Sequence, residues 1–415
     1  MSRFRLSKYV PAAAIAAVAC VAGWVATRSL QQDFAAYWVA GAARRAGLDP
    51  YVNHVGGAAR PELWDGVAVF AHSRFLYPPI VAEVFRALAI LPYSIAKAVF
   101  TALMLGAWIG ASLVTARAHT PTGGRRALAV TLGSGALFYP LSLALERGQV
   151  EPLVLLLLVV AFGAQTRAST AGVALAGAAA LKPALVLVLV VLAALGRWRA
   201  AGAALAGLVV VALASVALSG PALTREYATR VLPRAALYGE GGDEAVLLPA
   251  ARLAAHADDL EAGVARMQGR AYPVAAWDGP ASASLPRLLA LEGPTPLASR
   301  GPALVLLALL GGAAARRRAR APERDAILLW ATAVACVVAS PAGWVMGLCV
   351  ALPLVPWPAR SWAARGHARA WGLALVGALL ACAVPPPFAG WAPVAGLAVV
   401  VAAVGLAHAR PTEAS

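Results

Sequence analysis

Apolar residues in this chain fall in long continuous blocks, not in alternation with polar ones. Runs such as "PAAAIAAVACVAGWVA" (11–26) and "EPLVLLLLVVAF" (151–162) are rich in Ala, Leu and Val. In lipid, backbone polar groups must be satisfied inside a helix or a closed barrel, and the alternation a barrel needs is missing, so the blocks predict helices. They place spans near 9–27, 95–115, 126–144, 150–165, 170–181, 183–196, 201–218, 301–315, 326–339, 341–356, 370–385 and 390–408. This is an all-α polytopic membrane protein, a single integral domain over 1–415 with about twelve spans in a range of ten to thirteen. Several runs are shorter than the roughly 20 residues of a straight crossing, which implies broken or tilted helices. Because so many spans follow it, the first reads as an anchor and not a cleaved leader. The segment "YPPIVAEVFRALAILP" (77–92) carries Glu83 and Arg86 in a short apolar stretch and reads as a re-entrant or interfacial helix.

Composition agrees with that pattern: 61% of the 415 residues are hydrophobic, 13% are charged, and the mean hydropathy is +0.73. The net charge of +16 raises the question of nucleic acid, and its distribution answers it. With 77–92 not crossing, the segments on the N-terminal side of the membrane hold 18 Lys/Arg against three acids (Glu323, Asp325, Glu413), a net +15, whereas the remainder holds 17 against 16. Such asymmetry is the positive-inside signal: it orients the chain with both termini cytoplasmic and leaves no call for nucleic acid. On the other face lie the first loop (28–94), the turn "ERGQVEP" (146–152), Lys182-Pro183, a long loop (219–300), "SPAGW" (340–344) and "PPPFAGW" (385–391). All the unusual chemistry falls there, so the working surface is expected to be extracytoplasmic. Spans nearly free of ionisable groups do not fit a proton or ion relay. Cys20, Cys336, Cys349 and Cys382 sit inside apolar runs and read as packing residues.

Directly after the first span comes "QQDFAAYWVAGAARRAGLDPY" (31–51). Residues 34–46 have helical spacing, with Phe34, Tyr37, Trp38 and Gly41 on one side, Arg44 and Arg45 at the end, and Gly47 as a stop. An aromatic-rich helix at this position fits headgroup depth, with Asp33 at its N-cap. Asp33 can serve there as a cap, as a general base for a hydroxyl at the lipid boundary, or as both.

The stretch "DFAAYWVAGAARRAGLDPY", then "FLYPPI", "RGQVEPLVLLLLVVAF", "AALKPALVLVLVVLAAL" and finally "SPAGW" occur in an order that resembles glycosyltransferase family 87, over about residues 1 to 360. The resemblance implies a GT-C-type fold and a polyprenyl-phosphate-mannose-dependent α-mannosyltransferase. With the Ala/Arg/Gly-rich composition it implies a bacterial plasma membrane. It makes Asp33 the base that deprotonates the acceptor hydroxyl, with inversion at the sugar. An anionic leaving phosphate then calls for cations and N–H donors. Lys182 is the first candidate, with headgroup snorkelling as its plain alternative. Arg147 and Gln149 are candidates for phosphate and sugar hydroxyls, with loop capping as theirs, and Arg287 in "SASLPRLLAL" (282–291) is a looser one. Tyr37, Trp38, Tyr51, Tyr77, Pro78 and Trp344 are candidates to shape the pocket, although for Tyr37 and Trp38 the interfacial belt favours contact with lipid.

The chain departs from the family at one place: where a histidine is expected after Ser340-Pro341 and Trp344, it reads Val345-Met346-Gly347. His54 and His72 in the first loop are candidates to compensate. Asp243, Glu244, Asp258, Asp259 and Glu261 lack ligand-like spacing, and a lipid monophosphate carries little enough charge for protein cations, so no metal or other cofactor is expected. No glycine-rich phosphate loop follows a strand, which argues against a nucleotide-sugar donor. The expected partners are a polyprenyl-phosphate sugar, a membrane glycolipid or glycan acceptor, and the bilayer. A lipid-linked sugar flippase, which would call for related halves that are not visible here, and an inactive envelope-assembly scaffold are the alternatives.

Overall fold

The computed structural model describes residues 10–28, 31–51, 75–119, 124–163, 167–233, 307, 311, 322–339 and 345–354. Among these every regular element is helical: α1 (Val10–Arg28), α2 (Gln32–Arg45), α3 (Pro79–Leu88), α4 (Tyr93–His119), α5 (Gly124–Leu137), α6 (Tyr139–Arg147), α7 (Glu151–Gly163), α8 (Ala168–Leu181), α9 (Val188–Ala194), α10 (Trp198–Ser219), α11 (Pro221–Glu226) and α12 (Pro322–Ala339). Short 3-10 helices cover Pro183–Leu187 and Val345–Leu354, and a π-turn covers Tyr227–Val231. Two stretches, Tyr93–Arg117 and Trp198–Ser219, are long and apolar enough to cross a membrane on their own. The 22 residues of α10 reach about 33 Å, the thickness of a hydrocarbon core. Only 11% of its central window is buried, and Leu205, Val210 and Leu213 stand exposed, a surface suited to lipid.

Proline accounts for the runs that fall short. The segment expected as one span over 126–144 is two helices, α5 and α6, bent by 69°. Pro140 enters the first turn of α6, where it cannot continue the hydrogen bonding of α5, and the fully buried Phe138 fills the corner. Pro183 likewise ends α8: the residue before a proline is driven out of the helical region, and Lys182 has φ −135° and ψ 89°. In place of a straight α-helix over 341–356 the chain forms the 3-10 segment, which contains Pro353. The expected spans 370–385 and 390–408, and all of 301–315 except Leu307 and Gly311, lie outside the described residues, as do 52–74 and 234–300 of the two long loops.

Tyr37 and Trp38 do not lie against lipid: α2 is covered by protein along 33–43, with Phe34, Ala43, Tyr37 and Ala40 almost wholly buried. It packs on α3 where a Cβ at Gly41 would lie 2.5 Å from the Phe85 backbone, so only glycine permits the crossing. Phe34 stacks on Phe100 of α4 beneath it, and the Tyr37 and Phe85 rings meet Phe100 tilted. Its far end is pinned by Arg44, whose Nε donates to Glu83 Oε1 at 2.7 Å, while Ser219 Oγ donates to the same oxygen at 3.1 Å. Glu83, the misfit in the apolar 77–92 stretch, thus ties α2, α3 and α10 together. Elsewhere Arg197, just before α10, pairs with Asp325 of α12 at 2.7 Å.

Candidate active site

Asp33 is the second residue of α2, not its cap; Gln31 takes the cap position with a left-handed φ of 49°. The carboxylate is therefore free to reach sideways, and it meets Arg147 at the last turn of α6. Arg147 Nε donates to Asp33 Oδ2 at 2.7 Å and Nη2 to Oδ1 at 3.3 Å, a two-pronged pair that is buried on the carboxylate side. The turn "RGQ" makes this possible. Gly148 closes α6 with φ +72°, and a Cβ there would lie 2.7 Å from Phe34 Cβ and 2.8 Å from Gln31 Cβ. A residue without a side chain in left-handed geometry lets the α6–α7 turn abut the start of α2.

Two residues on, Gln149 Oε1 accepts hydrogen bonds from Tyr37 Oη at 2.9 Å and Tyr77 Oη at 3.3 Å, and the two phenols lie 2.8 Å apart. Tyr77 is held by the Pro78-Pro79 start of α3, in which Pro78 is extended and Pro79 is the first helical residue. Its carbonyl accepts from Tyr51 Oη at 2.9 Å, and Tyr51 is set by the Asp49-Pro50 turn, where Asp49 Oδ1 accepts from the Tyr51 N–H. Lys182, at the break between α8 and the 3-10 turn, places its Nζ 5.9 Å from the centre of the Tyr77 ring and 2.7 Å from Glu151 Oε1.

The result is a cluster of two buried carboxylates and two partly covered cations, arranged as two ion pairs, with Tyr37, Tyr77 and Gln149 hydrogen-bonded to one another beside them. Charges in such surroundings are tolerable only when paired. Burial, with Tyr77 and the Glu151 and Asp33 carboxylates adding to it, raises the Tyr37 phenol well above its ordinary pKa; burial does the same for Tyr77 although Lys182 opposes it. Both stay protonated and keep their O–H donors. Burial works against the Lys182 ammonium, the Glu151 carboxylate beside it works the other way, and the net shift is upward, so it stays charged.

Asp33, Tyr37, Tyr51, Tyr77, Arg147, Gln149 and Lys182 thus come together from four separate motifs. Trp38 does not join them: its Nε1 donates to the Leu91 carbonyl at 3.2 Å and its ring meets Tyr93 edge-on. Arg287, Trp344, His54 and His72 lie outside the described residues. Sequence reading assigned no role to Glu151 or to Tyr227, which stacks on Tyr51 at 6.2 Å. An acid leading the otherwise uncharged apolar run 152–163 was the available signal for Glu151. Among the described residues no group of three His, Cys, Asp or Glu could hold a metal ion. A void of about 10 Å³ lies beside Phe162, Leu175 and Arg197, not at Asp33.

Apolar helices wrapped around a buried acid–base cluster define an all-α membrane protein with the makings of a transferase site. The chain belongs to glycosyltransferase family 87: residues 75–341, more than half of its length, match the sequence model of that family. It is therefore a membrane glycosyltransferase. The matched stretch contains Tyr77, Arg147, Gln149, Glu151 and Lys182 and begins after Asp33, which joins the site through Arg147. No curated protein and no solved structure matches.

Proposed function

We propose that this glycosyltransferase moves mannose from a polyprenyl-phosphate donor to a hydroxyl of a membrane glycolipid or glycan on the extracytoplasmic face of a bacterial plasma membrane, with inversion. The observation that carries the reading is the convergence of Asp33 with Arg147 and Lys182 in one buried cluster. Such a reaction needs a base for the acceptor and cations for the leaving phosphate. Asp33 takes the proton as the acceptor oxygen attacks the anomeric carbon; the bond from that carbon to phosphate oxygen breaks, and polyprenyl phosphate leaves with one more negative charge. Arg147 and Lys182 meet the charge that grows on the phosphate. The reading assigns that task to protein cations and no metal. Tyr37, Tyr77 and Gln149 offer neutral donors and acceptors for sugar hydroxyls.

The test is transfer of labelled mannose from polyprenyl phosphate mannose to membrane glycolipid or glycan acceptors, comparing wild type with Asp33→Asn at equal expression. Loss of a general base is expected to slow transfer about a hundredfold to ten-thousandfold. Equal rates would remove Asp33 from the mechanism. Translocation of the lipid-linked sugar without transfer would instead make the chain a flippase, and neither activity would leave a scaffold.

A further inference from the structure

Glu151 has no place in the mechanism above, yet it is among the most deeply buried charged residues described, with 2% exposure. One carboxylate oxygen, Oε1, accepts from Lys182 at 2.7 Å; the other, Oε2, accepts no hydrogen bond among the described residues. The cation is the more open partner, with its side chain 31% exposed. Lys182 has left the helix because Pro183 follows it, so no helical geometry fixes its long side chain, which carries four rotatable bonds. Its Nζ is nevertheless set at one spot beside Tyr77.

We infer that Glu151 is a positioning residue that holds the Lys182 ammonium in place for the donor phosphate. The inference rests on the reading that Lys182 contacts that phosphate. An ammonium has three N–H donors; one goes to Glu151 Oε1, which leaves two for phosphate oxygens. The Lys182 side chain is the less covered partner of the pair, so in this proposal the ligand approaches from the lysine side and leaves the carboxylate in place. The ion pair also offsets part of the cost of burying the Glu151 carboxylate, which makes an acid tolerable as the first residue of an apolar helix. The high Lys182 pKa is consistent with this arrangement.

Three variants of the full-length protein test it, with KM and kcat measured against polyprenyl phosphate mannose and folded fraction measured alongside. Glu151→Gln removes the charge at constant shape. It is expected to raise the donor KM about tenfold, the scale on which partners that orient a ligand act, with kcat changed much less. Glu151→Asp, which keeps the charge, is expected to recover most of that loss. Lys182→Met alone would strand a buried carboxylate, so the cation is removed in the neutral pair Glu151→Gln/Lys182→Met, whose donor KM is expected to equal or exceed that of Glu151→Gln. If the double variant raises KM and Glu151→Gln does not, the positioning role fails while the phosphate role of Lys182 stands. If neither raises it, the assignment of Lys182 to the phosphate falls, and this inference with it. A Glu151→Gln protein that loses only folded fraction or kcat at unchanged KM also overturns the positioning role.

Discussion

Two close approaches between helices use the same device for different ends. At the α8–α10 crossing a Cβ on Gly172 would lie 2.4 Å from Ala203 Cβ, and one on Gly207 would lie 2.6 Å from Ala176 Cβ. Small residues four apart let two apolar helices approach closely, and the product is van der Waals contact in a setting where lipid supplies no hydrophobic drive. At the meeting of the α6–α7 turn with α2, Gly148 does the same against Gln31 and Phe34, but the product is the Asp33–Arg147 contact. The first crossing holds the molecule together; the second aligns charges. Substitutions at the two places should separate stability from transfer.

Charge removal at the second place should have the largest effect on stability. Arg147→Met leaves the buried Asp33 carboxylate without its guanidinium and is expected to destabilise the fold by about 3 to 5 kcal/mol. Unfolding in mixed detergent micelles would measure it. Asp33→Asn/Arg147→Met strands no charge and should recover part of that loss; a double variant as unstable as the single one would show that the pair matters only for shape. Gly148→Ala comes next. The left-handed backbone costs a side chain about 1 to 2 kcal/mol, and crowding against Phe34 and Gln31 adds about 1 to 3. Transfer per folded molecule should fall as well, because the Arg147 turn must shift. Gly172→Ala should cost about 1 to 3 kcal/mol by crowding alone while kcat and KM per folded molecule stay unchanged. Equal losses of transfer from Gly148→Ala and Gly172→Ala would erase the contrast.

The same contrast explains what could be read from sequence. The small-residue spacing within α8 and within α10 and the proline breaks are local: glycine and alanine four apart, Pro140 soon after Leu137 and Pro183 after Lys182 are visible in a short window. Which helices meet is not, and neither are the ion pairs: Asp33 and Arg147 are 114 residues apart, Glu151 and Lys182 sit on separate elements, and no helical period encodes either meeting. Motif order in the family could bring the residues together only as members of one site. The burial of Tyr37 and Trp38 has a physical cause too. Aromatic residues after a span fit a lipid-facing belt and a protein core alike. Between 34 and 43, however, there is no charged residue, and Ala35, Ala36, Ala40, Gly41, Ala42 and Ala43 leave the helix without a polar face. That absence points to burial, which the structure shows.

The smallest expected effect lies inside the polar cluster, at Tyr37→Phe. The substitution removes one hydroxyl from a set of three groups, and Gln149 Oε1 still has Tyr77 Oη at 3.3 Å to donate to it. A buried acceptor that keeps one donor is not stranded, so the cost should fall near 1 kcal/mol, the ordinary net worth of a hydrogen bond. Stability would be read by unfolding, and donor KM by the transfer assay, where a change of less than about tenfold corresponds to the same energy. Two alternatives are then distinguishable. A loss well above about 2 kcal/mol would mean that Tyr37, Tyr77 and Gln149 act cooperatively as one network, so that the site behaves as a unit and not as two ion pairs with neutral neighbours. A loss confined to KM, with stability intact, would place the Tyr37 hydroxyl against the sugar, and α2 would then contribute substrate contacts as well as the base.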